Sequence, residues 1–300
     1  MFGRYTYHLL LHFVILIFGF TGILGQIISL DAIPLVWYRT FIAFVALAAL
    51  LPLLKASFRM RSKKRLLQML GVGVIVALHW VTFYQAIQLS TASLGILCLA
   101  TTTLHVSWLE PLIIGRPFSW VEFAFSLIIV AGIYFVSGDF STQEYTALAY
   151  GLTSALLAAI FAVLNAKLAD DSSPIQMTLY EMLAAFLFLS LVLLFSGQMN
   201  SSLFAITFVD VLWLIFLGVI CTSFAFLAII FIMQRLGAFS VSLSINLEPV
   251  YTIVLAIPIL HEYEVLNNRF YIGSAVIIAV VIANAALKGQ QAKKARLLPK

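Results

Sequence analysis

Glu248 stands in the middle of an apolar run, residues 240–262, together with Asn246 and Pro249. A run of that length crosses a bilayer core, which takes roughly 20 residues. A carboxylate at such depth costs about 2.5–3.5 kcal/mol on insertion scales, so it must face protein or water rather than lipid. Pro249 has no N–H, which frees the carbonyl of Ile245 one turn back to bond something else. An acid beside a freed carbonyl at mid-membrane points to a binding site; the alternative is a kinked helix whose acid pairs with a neighbour. Counting in fours, Ser240, Ser244, Glu248 and Thr252 form one polar stripe with Tyr251 beside it. Asn246 lies about 200° round the same helix and suits a bond to a neighbouring one.

Other polar groups fall inside apolar runs as well. Arg39 and Glu181 carry opposite charges and both need partners. One reading is a cavity-lining cation and anion that hold a zwitterionic or anionic solute. In the other, Arg39 binds backbone carbonyls or snorkels outward, and Glu181 makes a structural pair with Lys167 or a loop group. His79, Trp80, Phe83 and Tyr84 make an aromatic patch, either a wall on which a solute stacks or an interface belt. Thr102 sits on a stripe with Cys98, and His105 follows Thr101 by four residues. Buried Thr hydroxyls commonly bond their own helix backbone, while His105 is a candidate proton-sensitive group.

These groups can bind, orient and exchange protons; they do not form a catalytic set. His261-Glu262 begins like the zinc motif HExxH, but Val265 occupies the fifth place, so the second ligand is missing. Cys98 and Cys221 are too far apart for a zinc or redox motif and read as packing residues. No enzyme activity, cofactor or metal is expected. A passive channel is also disfavoured, because channels repeat a ring of like groups and the charges here are mixed and few.

The elements that must position these groups follow from composition. The chain is 63% hydrophobic and 10% charged with mean hydropathy +1.09, whereas soluble domains carry about 25% charged residues. A polytopic, all-α membrane protein follows. Apolar runs of spanning length lie at 8–28, 32–54, 66–88, 92–114, 120–137, 146–168, 175–196, 208–233, 238–260 and 270–287. Short joints rich in Asp, Ser, Thr, Gly and Pro separate them, and the first run reads as a retained helix. With the N-terminus cytoplasmic, all of the 17 Lys and Arg except Arg39 and Arg269 fall on the inner side. Ten transmembrane helices with both termini cytoplasmic is the expected topology. The basic tail, 289–300, is a topology anchor at anionic lipid and not a nucleic-acid arm.

Two stretches of five helices, 1–140 and 141–288, repeat each other. Residues 89–93 align with 236–240, 113–116 with 259–262, and Trp37-Tyr38-Arg39 with Leu179-Tyr180-Glu181. Five is odd, so the second stretch inserts upside down relative to the first. Inverted repeats of this kind mark transporters whose site lies at the repeat interface. The Ala155/Ala159/Ala162 and Ala275/Ala279/Ala283 spacings suit close packing, and the latter set is a candidate homodimer contact.

Phe18-Gly19, Tyr38-Arg39, the segment 83–93, Leu247-Glu248-Pro249-Val250 and the helix-ending Leu260-His261-Glu262 resemble the drug/metabolite transporter superfamily, in particular its EamA-type ten-helix members. Two places depart from that pattern: Thr101-Thr102-Thr103 replaces a proline-bearing fourth helix, and Arg116 stands where the acid of an LGE ending belongs. The resemblance implies transport of a small organic solute such as an amino acid, with sugars, nucleotide sugars or drugs as alternatives. It implies a bacterial inner membrane, and a central cavity lined by helices one to four and six to nine, with five and ten peripheral. Within that reading, Arg39, His79, Trp80, Tyr84, Thr102, His105, Glu181, Ser244, Glu248 and Tyr251 are the candidate solute-binding residues, and Glu248 or Glu181 would exchange coupling protons.

Overall fold

A computed structural model describes residues 4–53, 58, 62–169, 173–236, 241, 244–245 and 247–297. Its described elements are helical, as a chain in lipid requires: a helix bonds every internal backbone group within its own segment. In order they are α1 (Arg4–Ile27), α2 (Ala32–Leu50), α3 (Lys63–Leu89), α4 (Ala92–Leu99), α5 (Thr102–Ile113), α6 (Trp120–Val136), α7 (Thr142–Ala169) and α8 (Pro174–Phe195). There follow a one-turn α9 (Ser201–Phe204), α10 (Phe208–Ile215), a π-helical stretch Phe216–Phe224, α11 (Ala225–Leu236), α12 (Glu248–Ile259) and α13 (Asn268–Leu297). Among the described residues, eight helical stretches are long and apolar enough to cross a membrane; Glu248–Ile259 and Asn268–Asn284 are shorter apolar helices.

The joints use hydroxyl caps. Thr91 accepts from the N–H of Leu94, Ser119 from Glu122 and Thr207 from Asp210, which supplies orphan donors at the starts of α4, α6 and α10. The fourth expected span is two helices: α4 ends at Leu99 and α5 restarts at Thr102. At the break, Thr101 Oγ1 donates to the Cys98 carbonyl at 2.7 Å and Thr103 Oγ1 to Ala100 at 3.0 Å. The eighth span widens into the π-helical stretch, where Thr222 and Ser223 donate to carbonyls five residues back. In the ninth, Pro249 does not kink a helix interior: it lies in the first turn of α12, where a missing N–H costs nothing. Ser240 and Asn246, and with them part of the polar stripe expected on this span, lie outside the described residues.

Packing interleaves early and late elements. α3 lies against α7 and α8, α2 against α8 and the π stretch, α1 against α11 and α12, and α6 against α13. Gly73 lets α3 and α8 approach closely, since a Cβ there would come within 2.4 Å of the Glu181 carbonyl. One end of the bundle is sealed by polar contacts. Glu262 receives the backbone N–H of Ala92 at 2.7 Å and of Ser93 at 3.4 Å. Gln88 donates to Leu30, Gln143 to Leu89, the Ser29 N–H to Asp210, and Gln26 to the Ile87 carbonyl.

Candidate functional site

Arg39 is the centre of the polar arrangement. It is only 4% exposed, on α2. Its Nε donates to Thr222 Oγ1 at 3.0 Å, its Nη1 to the Tyr84 hydroxyl at 3.0 Å, and its guanidinium carbon lies 3.6 Å from the centroid of the Trp80 ring. The π-helical stretch is what turns Thr222 toward α2, and Gly218 one turn earlier leaves room for Ile42 and the Arg39 backbone. Among the described residues, neither snorkelling nor backbone carbonyls hold this side chain. It is fixed by a stack and two hydroxyls, with part of its fork facing open space.

That space is a cavity of about 500 Å³. Arg39, His79, Trp80, Thr102 and Glu248 line it, together with the aromatic rings of Phe18, Phe83, Phe161 and Phe226. Helices α1 to α5, α7, α11 and α12 all contribute to its wall. Glu248, the first residue of α12, makes no hydrogen bond or ion pair through its carboxylate among the described residues; only its main-chain carbonyl is engaged, by Thr252 Oγ1 at 3.1 Å. His79 is held in place by Ser154 of α7, whose Oγ lies 2.8 Å from Nδ1 and itself donates to the His79 carbonyl. Thr102 Oγ1 reaches the Ala155 carbonyl at 3.4 Å.

The remaining candidates lie off the wall. Tyr84 is fully buried behind Arg39 and acts on the cavity only through it. Tyr251 hydrogen-bonds His12 at 2.9 Å. Thr252, expected on a wet stripe with Glu248, is instead buried against Gly19 of α1. Ser244 is half-buried beside the start of α12. His105 packs edge-on to Trp108, and its Nδ1 has no hydrogen-bond partner among the described residues. Glu181 is buried at 4% exposure between α8 and α3, and Lys167 does not pair with it but donates to the Ile113 carbonyl at 2.9 Å.

Several features of the site, on the wall and behind it, are not singled out by the sequence. Phe161 and Phe226 looked like ordinary apolar positions. Thr222 is half of a Thr-Ser pair in an apolar run, a signal that was there to be read. Glu122 of α6 and Val281 and Asn284 of α13 also line the cavity, so the two helices expected at the periphery form part of its boundary at the end away from Glu262. There Arg116 binds Glu122 at 2.7 Å and also Glu110. Arg116, in place of an acid, ties two acids together.

Among curated proteins no match was found. One solved structure, described only as "Crystal structure of protein", superposes with a TM-score of 0.66 at 15% identity over 95% of this chain and 99% of that one, which supports the fold alone. The family described as the EamA-like transporter family matches twice, over residues 6–138 and 145–285, so that both matched stretches contribute helices to the cavity wall. The chain is a multi-pass membrane protein that belongs to the EamA-like transporter family.

Proposed function

We propose that the protein is a secondary carrier for a small organic solute bearing both charges, an amino acid or a related metabolite. The observation that carries this reading is the pairing, in one cavity of about 500 Å³, of a fixed guanidinium and a carboxylate that accepts no hydrogen bond among the described residues, between aromatic walls. Cavities of roughly 300–1,000 Å³ with a few placed polar groups suit metabolite-sized ligands. Arg39 receives the anionic group and Glu248 the cationic one, while Trp80, Phe83, Phe161 and Phe226 cover the apolar remainder.

Transport proceeds by alternating access. Ten spans form two inverted five-helix halves with both termini cytoplasmic, as the distribution of Lys and Arg favours; the family likeness alone favours a bacterial inner membrane. In that orientation the Glu262 seal is extracytoplasmic and the Arg116–Glu122 end cytoplasmic. The present arrangement is then the form closed to the outside. An acid at membrane depth supplies proton coupling.

A thermal-shift screen of amino acids and related metabolites on detergent-purified protein tests the site. A ligand that raises the melting temperature of wild type and loses its effect in both Arg39→Ala and Glu248→Ala is the expected result. Ligands whose shift survives both substitutions would place the site elsewhere.

A further inference from the structure

Glu181 raises a problem that the solute cavity does not answer. Its side chain is 4% exposed, it lies off the cavity wall, and its Oε1 has no hydrogen-bond partner among the described residues. Asn165, near the end of α7, presents its side chain to the same carboxyl group. The amide oxygen of Asn165, Oδ1, is likewise buried and without a partner. Two orphaned acceptors on interacting side chains are a costly arrangement in a protein interior, because each has given up water without gaining a partner.

No neighbouring charge relieves it. From α2 come Tyr38, whose hydroxyl donates to Leu203, and Arg39, held in the cavity. From α3 come Lys63 and Lys64, exposed at the start of the helix, Arg65 half-buried beside them, His79 bonded to Ser154, and Tyr84 bonded to Arg39. From α7 comes Lys167, on the Ile113 carbonyl. Among the described residues none of these pairs with Glu181. The close approach of α3 at Gly73 also leaves no room there for a compensating side chain.

A single proton removes both faults. A neutral carboxyl donates its O–H to Asn165 Oδ1 while the amide N–H₂ donates back to the other carboxyl oxygen, so that each orphan acceptor either becomes a donor or gains one. We infer that Glu181 and Asn165 form a proton-binding site, closed off from the solute cavity and set between α3, α7 and α8.

Two of those helices also build the cavity: α3 carries His79 and Trp80, and α7 carries Ser154 and Phe161. Loss of the proton places an uncompensated charge at the α3–α8 contact and biases those helices apart. Proton occupancy thereby selects between arrangements of the cavity wall, a role in coupling that rests on the carrier reading above; the proton site itself does not.

Infrared spectroscopy on reconstituted full-length protein tests the site without any solute. At neutral pH, Glu181→Gln is expected to lose a neutral carboxylic-acid carbonyl band that Glu248→Gln retains, and Asn165→Leu to shift that band to higher frequency. A spectrum in which Glu181→Gln removes only a carboxylate band overturns the proposal. Should Glu181→Gln fail to fold, an unshifted carboxylic-acid region in Asn165→Leu overturns it equally. In proteoliposomes, Glu181→Gln is expected to keep saturable flux and lose its response to a pH gradient; a retained response removes the coupling role. If wild type carries no solute at all, the carrier reading falls while the infrared bands still decide the proton site.

Discussion

Arg39 and Glu248 sit in one cavity but do different work, and substitutions should separate them. The guanidinium of Arg39 is part of the fold: it stacks on Trp80 and donates to Thr222 and Tyr84. A lysine keeps the charge and loses the planar fork. Arg39→Lys should therefore lower thermal stability by about 2 kcal/mol, the worth of a charge-assisted hydrogen bond to Thr222 or Tyr84 that the ammonium cannot keep together with the stack, as read from melting in detergent. Glu248 holds nothing else in place through its carboxylate. Glu248→Gln should melt like wild type yet bind a ligand found in the thermal-shift screen at least tenfold more weakly, about 1.4 kcal/mol. Both residues were legible in the sequence because a charge in an apolar run demands an explanation. The positions of Glu181, His105 and Tyr251 relative to the cavity were not, because the sequence fixes which residues share a helix face but not which neighbour that face meets. Tyr84 lay between: its aromatic character suggested a solute wall, whereas its hydroxyl serves Arg39.

Helix ends and interruptions carry the geometry. His261 ends α12 in the left-handed region, with φ of 55°, at the place where the sequence resemblance has glycine. Gly115 occupies the corresponding turn after α5 with φ of 82°. A β-carbon in that conformation costs roughly 1–2 kcal/mol, so His261→Gly should stabilise the protein by about 1 kcal/mol despite the loss of the His261–Tyr263 hydrogen bond. Glu262 next to it should be intolerant. Its carboxylate caps α4 through Ala92 and Ser93, and Glu262→Ala should cost about 1–2 kcal/mol of stability. The spans themselves were readable from hydropathy, and the hydroxyl-rich joints from their turn chemistry. The interruptions were not. Thr101-Thr102-Thr103 showed where hydroxyls would bond backbone without showing that the helix would divide there. Nothing in residues 216–224 announces a π-helical stretch, since its cause is the tertiary demand of Arg39 and α2 rather than a local proline. Pro249 did signal a break, but as the start of a helix and not as a kink.

Across the molecule, one end is sealed by Glu262, Gln88 and Gln143 while the cavity extends toward Glu122 and Asn284. Cys98 and Cys221 are both buried, so they provide a quiet background for accessibility measurements. Thr103→Cys, on the cavity wall, should react with a small water-soluble maleimide, and Ser93→Cys, beneath Glu262, should not. Equal rates at the two positions would mean that the described seal does not hold in the membrane.

Solute counterflow in proteoliposomes loaded with a compound found by thermal shift bears on the whole account. A carrier built around the Arg39–Glu248 cavity gives saturable exchange, accelerated by unlabelled solute on the far side and abolished by Arg39→Ala and Glu248→Gln. Flux that rises linearly with concentration, shows no acceleration by unlabelled solute, or persists in both variants would contradict it.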